Sequence, residues 1–152
     1  MIRLPLRDAV ACSSLEPGVM SILIVDDSAV VRQVLREILA EVEGTEVVGE
    51  FASPAPAIES MRSNPPDIVL LDIQLVDGSG LEVLHAVRSN HPQTKVLVFT
   101  NHVEEVYRKR CLKAGAHAFY DKKSDLQALR QDLRRLAPVR QESGSGPAAR
   151  GA

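Results

Sequence analysis

Short apolar runs alternate along this chain with longer stretches in which apolar residues recur at helical spacing. The runs are Ile22-Leu23-Ile24-Val25, Val47-Val48-Gly49-Glu50-Phe51, Ile68-Val69-Leu70-Leu71, Val96-Leu97-Val98-Phe99 and Ala118-Phe119-Tyr120. Their length and their β-branched and aromatic content predict five strands. Three are unbroken apolar runs, the pattern of strands covered on both faces in a parallel sheet.

The intervening segments predict five helices with identifiable ends. Ser28 caps a first helix carrying Val31, Leu35, Ile38 and Val42 on one face, with Gly44 as its stop. Ser53-Pro54 opens a second that ends before Asn64-Pro65-Pro66. A third runs from about Ser79 to Asn90 before Pro92, and a fourth from about Val103 to Ala114 before Gly115. A fifth starts at the cap Ser124, with Leu126, Leu129, Leu133 and Leu136 on one face. The order is (βα)5, which implies an α/β domain with a parallel sheet, right-handed crossovers and helices on both faces.

That pattern fills residues 20–137. Residues 1–19 fall outside it and read as a flexible N-terminal extension, with Met20 an alternative start; residues 138–152 lack apolar periodicity and read as a disordered tail. Composition adds little to this picture. Apolar residues make up 45% and charged residues 25% of the 152, a globular balance that suits one domain. Formal net charge is only −2, which gives no broad field for nucleic acid or an anionic membrane. From Arg108 onward, however, lie 11 of the 18 basic residues and 4 of the 20 acidic ones, a local excess suited to an acidic partner. Cys12 and Cys111 match no metal or disulfide spacing, and no apolar run reaches membrane length, so a cytoplasmic protein without membrane attachment is expected.

Candidate chemistry sits at the predicted strand ends. Asp26 and Asp27 close the first strand, Asp72 the third, Thr100 the fourth, and Lys122 lies just past the fifth. In an open α/β sheet the carboxyl ends of the strands form the ligand crevice. Three carboxylates gathered there repel one another unless a cation neutralises them, and an oxygen-only donor set favours Mg2+, with Mn2+ the alternative, over zinc. An ionised Asp72 is already a nucleophile, while Lys122 and the Thr100 hydroxyl can hold anionic phosphoryl oxygens. This set fits phosphoryl transfer, which needs placement and charge stabilisation above all.

Ile22 through Ser28, Asp67 through Asp72, Asp77-Gly78-Ser79-Gly80-Leu81-Glu82, Thr100, and Gly115 through Lys122 together resemble the response-regulator receiver domain of bacterial two-component systems, over about residues 20 to 137. The resemblance implies a flavodoxin-like, doubly wound, five-stranded sheet of order 2-1-3-4-5. It also implies Asp72 as phosphoacceptor, with Asp26 and Asp27 as the acidic metal pair and the Gln74 backbone carbonyl as a further metal ligand. Thr100 and Lys122 would bind phosphate, Phe119 would hold the aromatic switch position, and the side chains of Gln74 and His102 would tune dephosphorylation. The pattern departs from the family at Val76 and Lys123, where proline is common, and at Phe119, where tyrosine is frequent. Without a proline at Lys123, a trans Lys122–Lys123 bond is expected.

Rival readings part on single residues. A haloacid-dehalogenase-type phosphatase needs an acid/base Asp where Gln74 stands, and a flavodoxin-type flavin carrier needs a phosphate cradle where Asp26 and Asp27 stand. The resemblance therefore points to a phosphoacceptor that assists its own phosphorylation and dephosphorylation and is not a turnover enzyme; a pseudo-receiver working without phosphorylation is the alternative. Its expected partners are a histidine kinase or histidine phosphotransfer protein, docking near Ala29 and Val30, and a downstream protein target meeting the basic face of the fourth and fifth helices. The short polar tail reads as a stand-alone receiver with no DNA-binding domain, monomeric or dimerising on phosphorylation.

Overall fold

The computed structural model describes residues 18–138. The extension and tail expected at the two ends thus lie outside the described residues, save for Gly18, Val19 and Pro138. In chain order the elements are β1 (Met20–Val25), α1 (Ala29–Ala40), β2 (Thr45–Phe51), α2 (Pro54–Met61), β3 (Ile68–Leu71), β4 (Gln74–Leu75), β5 (Gly78–Ser79), α3 (Gly80–Asn90), β6 (Lys95–Thr100), α4 (Glu105–Lys113), β7 (Ala118–Asp121) and α5 (Leu126–Leu136). Five strands form a parallel sheet of order β2-β1-β3-β6-β7, which is the expected 2-1-3-4-5 once the two short strands are set aside.

Alternation along the strands divides the core into two layers. Leu23, Val25, Val69, Leu71, Val96, Val98 and Phe119 face α2, α3 and α4, whose Ala57, Met61, Val83, Leu84, Val87 and Cys111 complete that layer. Ile22, Ile24, Ile68, Leu70, Leu97, Phe99 and Tyr120 face α1 and α5, meeting Leu35, Ile38, Leu39, Leu129 and Leu133. Every residue of β1 and β3 is buried, as both-sided coverage requires.

Several predicted ends shift. Helix α1 stops at Ala40, and Gly44, at φ 84°, serves the turn into β2 instead. The Ser28 hydroxyl does cap α1, accepting from the Val31 N–H at 3.2 Å. Helix α4 begins at Glu105, two residues later than its apolar pattern suggested, and Asp125 takes the N-cap position of α5 that Ser124 was expected to hold. The antiparallel pair β4–β5 is new relative to the sequence reading. Among the described residues there is no cis peptide bond, so the Lys122–Lys123 bond is trans. No described helix is long and apolar enough to cross a membrane.

Candidate functional site

Parallel register brings the strand ends level. Asp26 follows β1, and its backbone N–H donates to the Phe51 carbonyl at 2.9 Å; Asp72 follows β3, and its N–H donates to the Val25 carbonyl at 2.9 Å. Thr100 ends β6, and its carbonyl accepts the Lys122 N–H at 2.9 Å. The main chain thus fixes all four positions before any side chain contributes.

The carboxylates of Asp26, Asp27 and Asp72 offer oxygens that all lie within 4.8 Å of one another, with Asp26 and Asp72 buried and Asp27 exposed. Lys122 reaches into this group, its ammonium 2.8 Å from Asp72 Oδ2 and 2.9 Å from Asp26 Oδ2. The second oxygens are also engaged: Asp26 Oδ1 accepts the Ser28 N–H at 2.9 Å, and Asp72 Oδ1 accepts the Gln74 N–H at 3.3 Å. Arg32 of α1 donates to the Asp26 carbonyl at 2.6 Å and pairs with Glu50 of β2 at 3.4 Å, tying the acidic turn to its neighbours.

Electrostatics follow from this crowding. Burial raises the Asp26 pKa; the hydrogen bonds from Lys122 and the Ser28 N–H offset part of that rise, and the Asp72 charge adds to it. Burial works against the Lys122 ammonium, yet hydrogen bonds and charges from Asp72 and Asp26 outweigh it and leave the Lys122 pKa raised. Three acids facing one lysine retain excess negative charge, and the accessible Asp27 leaves the cluster open to solvent. All of the candidate donors are hard oxygens, a set that suits a divalent cation of the Mg2+ type.

The remaining predicted residues are placed less uniformly. Thr100 is fully buried, but its hydroxyl accepts the His102 N–H at 3.1 Å rather than engaging the carboxylates. Phe119 is 7% exposed, packed inward, with the Arg108 guanidinium 5.4 Å from its ring centre. The side chains of Gln74 and His102 touch through Oε1 and Nε2, and the His102 ring meets Tyr107 edge-on at 5.9 Å.

Two residues that carry this geometry escaped the role assignments. Gly80 starts α3 so close beneath the loop after β3 that a Cβ there would lie 2.1 Å from the Asp72 carbonyl oxygen. The Gly78-Ser79-Gly80 string was the available signal, since a glycine opening a helix marks close backbone approach. Tyr107 had no comparable signal, because only the fold sets it beside His102.

Comparison with known proteins gives consistent results. The family model for the response regulator receiver domain matches residues 22–134. A putative transcriptional regulator from Pseudomonas aeruginosa is 39% identical over 108 residues, which are 71% of this chain and 52% of that protein. The response regulator GacA of Pseudomonas syringae is 32% identical over 115 residues, 76% of this chain and 54% of GacA. Among solved structures, a two-component response regulator of the LuxR family from Aurantimonas superposes with a TM-score of 0.72 at 29% identity, covering 78% of this chain and 85% of that one.

The chain therefore spans about half the length of the curated relatives it matches. This corrects the expectation of a stand-alone receiver with no DNA-binding domain. The two curated relatives extend well beyond the matched region, and another solved neighbour, with a TM-score of 0.71 at 22% identity, is described as a DNA-binding response regulator of the LuxR family from Staphylococcus aureus. On the family match, the fold and the relatives together, this chain belongs to the response regulator receiver domain family of two-component signalling systems.

Proposed function

We propose that the domain accepts a phosphoryl group on the Asp72 carboxylate from a histidine kinase or histidine phosphotransfer protein, in a reaction that depends on Mg2+ or, as a substitute, Mn2+. The observation that carries this reading is the convergence of Asp26, Asp27 and Asp72, with carboxylate oxygens within 4.8 Å, on the Lys122 ammonium. Asp26, Asp27 and Asp72, with the Gln74 backbone carbonyl, would hold the metal. When bound, the metal withdraws negative charge from the transferring phosphoryl oxygens.

In the transfer, an Asp72 carboxylate oxygen attacks phosphorus, a P–O bond forms, and the P–N bond to the donor imidazole breaks with its electron pair going to that nitrogen. Lys122 exchanges part of its contact with Asp72 for an anionic phosphoryl oxygen, and the Thr100 hydroxyl, which accepts the His102 N–H, donates its O–H to another. Phe119, level with Val98 on the neighbouring strand, is the aromatic switch. The acyl phosphate is later lost to water, at a rate set in part by the Gln74 and His102 side chains at the mouth. This is one phosphoryl cycle per signal, with no released organic product. A pseudo-receiver has less support, since such a domain has no need of an intact acidic set and its lysine.

The kinase-side partner docks on the exposed apolar start of α1, where Val30 is 71% exposed beside the site. The test is incubation of the protein with a small phosphodonor and Mg2+, followed by intact mass. The expected result is a metal-dependent gain of one phosphoryl group that is absent in Asp72→Asn. No gain, or an equal gain in Asp72→Asn, overturns the proposal.

A further inference from the structure

Helix α4 meets the site through a side-chain route that runs beside Thr100, whose hydroxyl holds only the His102 backbone N–H. Gln74 opens the β4–β5 pair two residues after Asp72, and its own N–H is bonded to the Asp72 carboxylate at 3.3 Å. Its side-chain carbonyl meets the His102 ring, which crosses from the β6–α4 loop. The other side of that ring lies edge-on against Tyr107, in the first turn of α4, at 5.9 Å. Tyr107 packs in turn against the core layer shared by α2, α3 and α4. Three side chains from three segments thus form one contact chain from the phosphoacceptor loop to a helix.

The receiving end is easily moved. Within α4, Cys111 is the one buried residue, and Glu104 at the N-cap makes no side-chain cap hydrogen bond. A small shift at Gln74 therefore meets little resistance at α4, whereas α3, with four buried residues and a capping box, would absorb it.

We propose that His102 is a positioning residue that couples metal occupancy at the Asp72 loop to the first turn of α4 through Gln74 on one side and Tyr107 on the other. This rests on the metal reading given above, in which the Gln74 main chain is a ligand. Metal binding fixes the Gln74 main chain, the Gln74 side chain carries the His102 ring with it, and the ring displaces Tyr107. The coupling operates before any phosphoryl group arrives. It gives Gln74 and His102 a second role, distinct from controlling water at the acyl phosphate.

The test uses the full chain, Mg2+ alone as the probe, and backbone amide chemical shifts. In the wild type, the Val106, Tyr107 and Arg108 amides shift along with those of Asp26, Asp27 and Gln74, all following one saturation curve. In His102→Gln, which keeps a polar contact to Gln74 but has no ring for Tyr107, the α4 shifts fall several-fold while the Asp26 and Asp27 shifts remain. Tyr107→Leu, cut at the other end, gives the same pattern and guards against a folding defect specific to His102. Undiminished α4 shifts in both variants overturn the proposal, because the signal would then travel by Thr100 and Phe119 or through space. Loss of the Asp26 and Asp27 shifts in His102→Gln also overturns it, since His102 would then belong to the metal site itself. Absence of any shift at Asp26 and Asp27 in the wild type is a different outcome: it removes the metal reading.

Discussion

Helices α3 and α4 pack on the same face of the sheet and flank the same site, yet they are held very differently. Helix α3 buries Gly80, Val83, Leu84 and Val87, and it starts with a capping box in which the Ser79 hydroxyl accepts a helix N–H and Glu82 accepts the Ser79 N–H at 3.2 Å. Helix α4 buries Cys111 alone and carries Arg108, Lys109, Arg110 and Lys113 on its exposed surface. The contrast separates two tasks. The helix after the Asp72 loop is firmly anchored beside the carboxylates, while the helix after Thr100 is lightly docked, as the proposed reporting role requires.

The sharpest way to break this contrast is to empty each anchor. Leu84→Ala, at a fully buried position of α3, is expected to cost about 3 kcal/mol of unfolding free energy. Cys111→Ala in α4 is expected to cost about 1 kcal/mol. Urea denaturation measures both, and equal losses would erase the distinction. Gly80→Ala comes next: its new Cβ meets the Asp72 carbonyl oxygen at 2.1 Å, so the Asp72 loop or the start of α3 must move, at about 2 kcal/mol. The expected signature is a joint loss of stability and of metal-dependent phosphorylation. Normal phosphorylation in that variant would show that the loop tolerates displacement.

Helix α5, on the opposite face, sharpens the comparison with a pH dependence. The Tyr120 hydroxyl donates to Asp132 of α5 at 2.6 Å. Its pKa is raised, first by burial, then by that hydrogen bond and the Asp132 charge. The unfolded chain releases the phenolic proton near pH ~10 while the native state keeps it, so stability falls as pH climbs past that value, by about 1.4 kcal/mol per unit. Denaturation midpoints in alkaline buffers should show this slope in the wild type and a shallower one in Tyr120→Phe. Smaller effects complete the series. Ser79→Ala should cost about 1 kcal/mol through the lost cap. Arg108→Ala should cost about 0.5 kcal/mol through loss of the guanidinium over Phe119. Hydrogen exchange provides the parallel test for both, with α4 amides exchanging faster than α3 amides before and after each change.

How much of this was legible in the sequence depends on the range of the interactions involved. The five strands are apolar runs whose meaning is local, and all five stand where the periodicity placed them. The carboxylates were legible for a related reason: an acid directly after a buried strand in an α/β order must lie at the carboxyl edge. Helix ends were read less well, since Gly44, Ser124 and Val103 each lie a few residues from the true boundary. There the side-chain preference was right in kind, but the loop's own hydrogen bonds fixed the position. The β4–β5 pair was missed because two-residue strands carry no period. The contacts of Lys122 with Asp26 and of His102 with Gln74 join residues distant in sequence, and no spacing rule reports them. The expectation of no DNA-binding domain rested on a short polar tail, whose composition carries no information about domain architecture.

The central claim is that Asp72 is the covalent acceptor. Its most direct test is to phosphorylate the chain with a small donor and Mg2+, reduce the product with borohydride, which converts an aspartyl phosphate to homoserine, and map the change by peptide mass. Homoserine is expected at position 72 and at no other aspartate, dependent on metal and absent without the donor. Modification at Asp26 or Asp27, or an unreduced chain after full phosphodonor treatment, would contradict it.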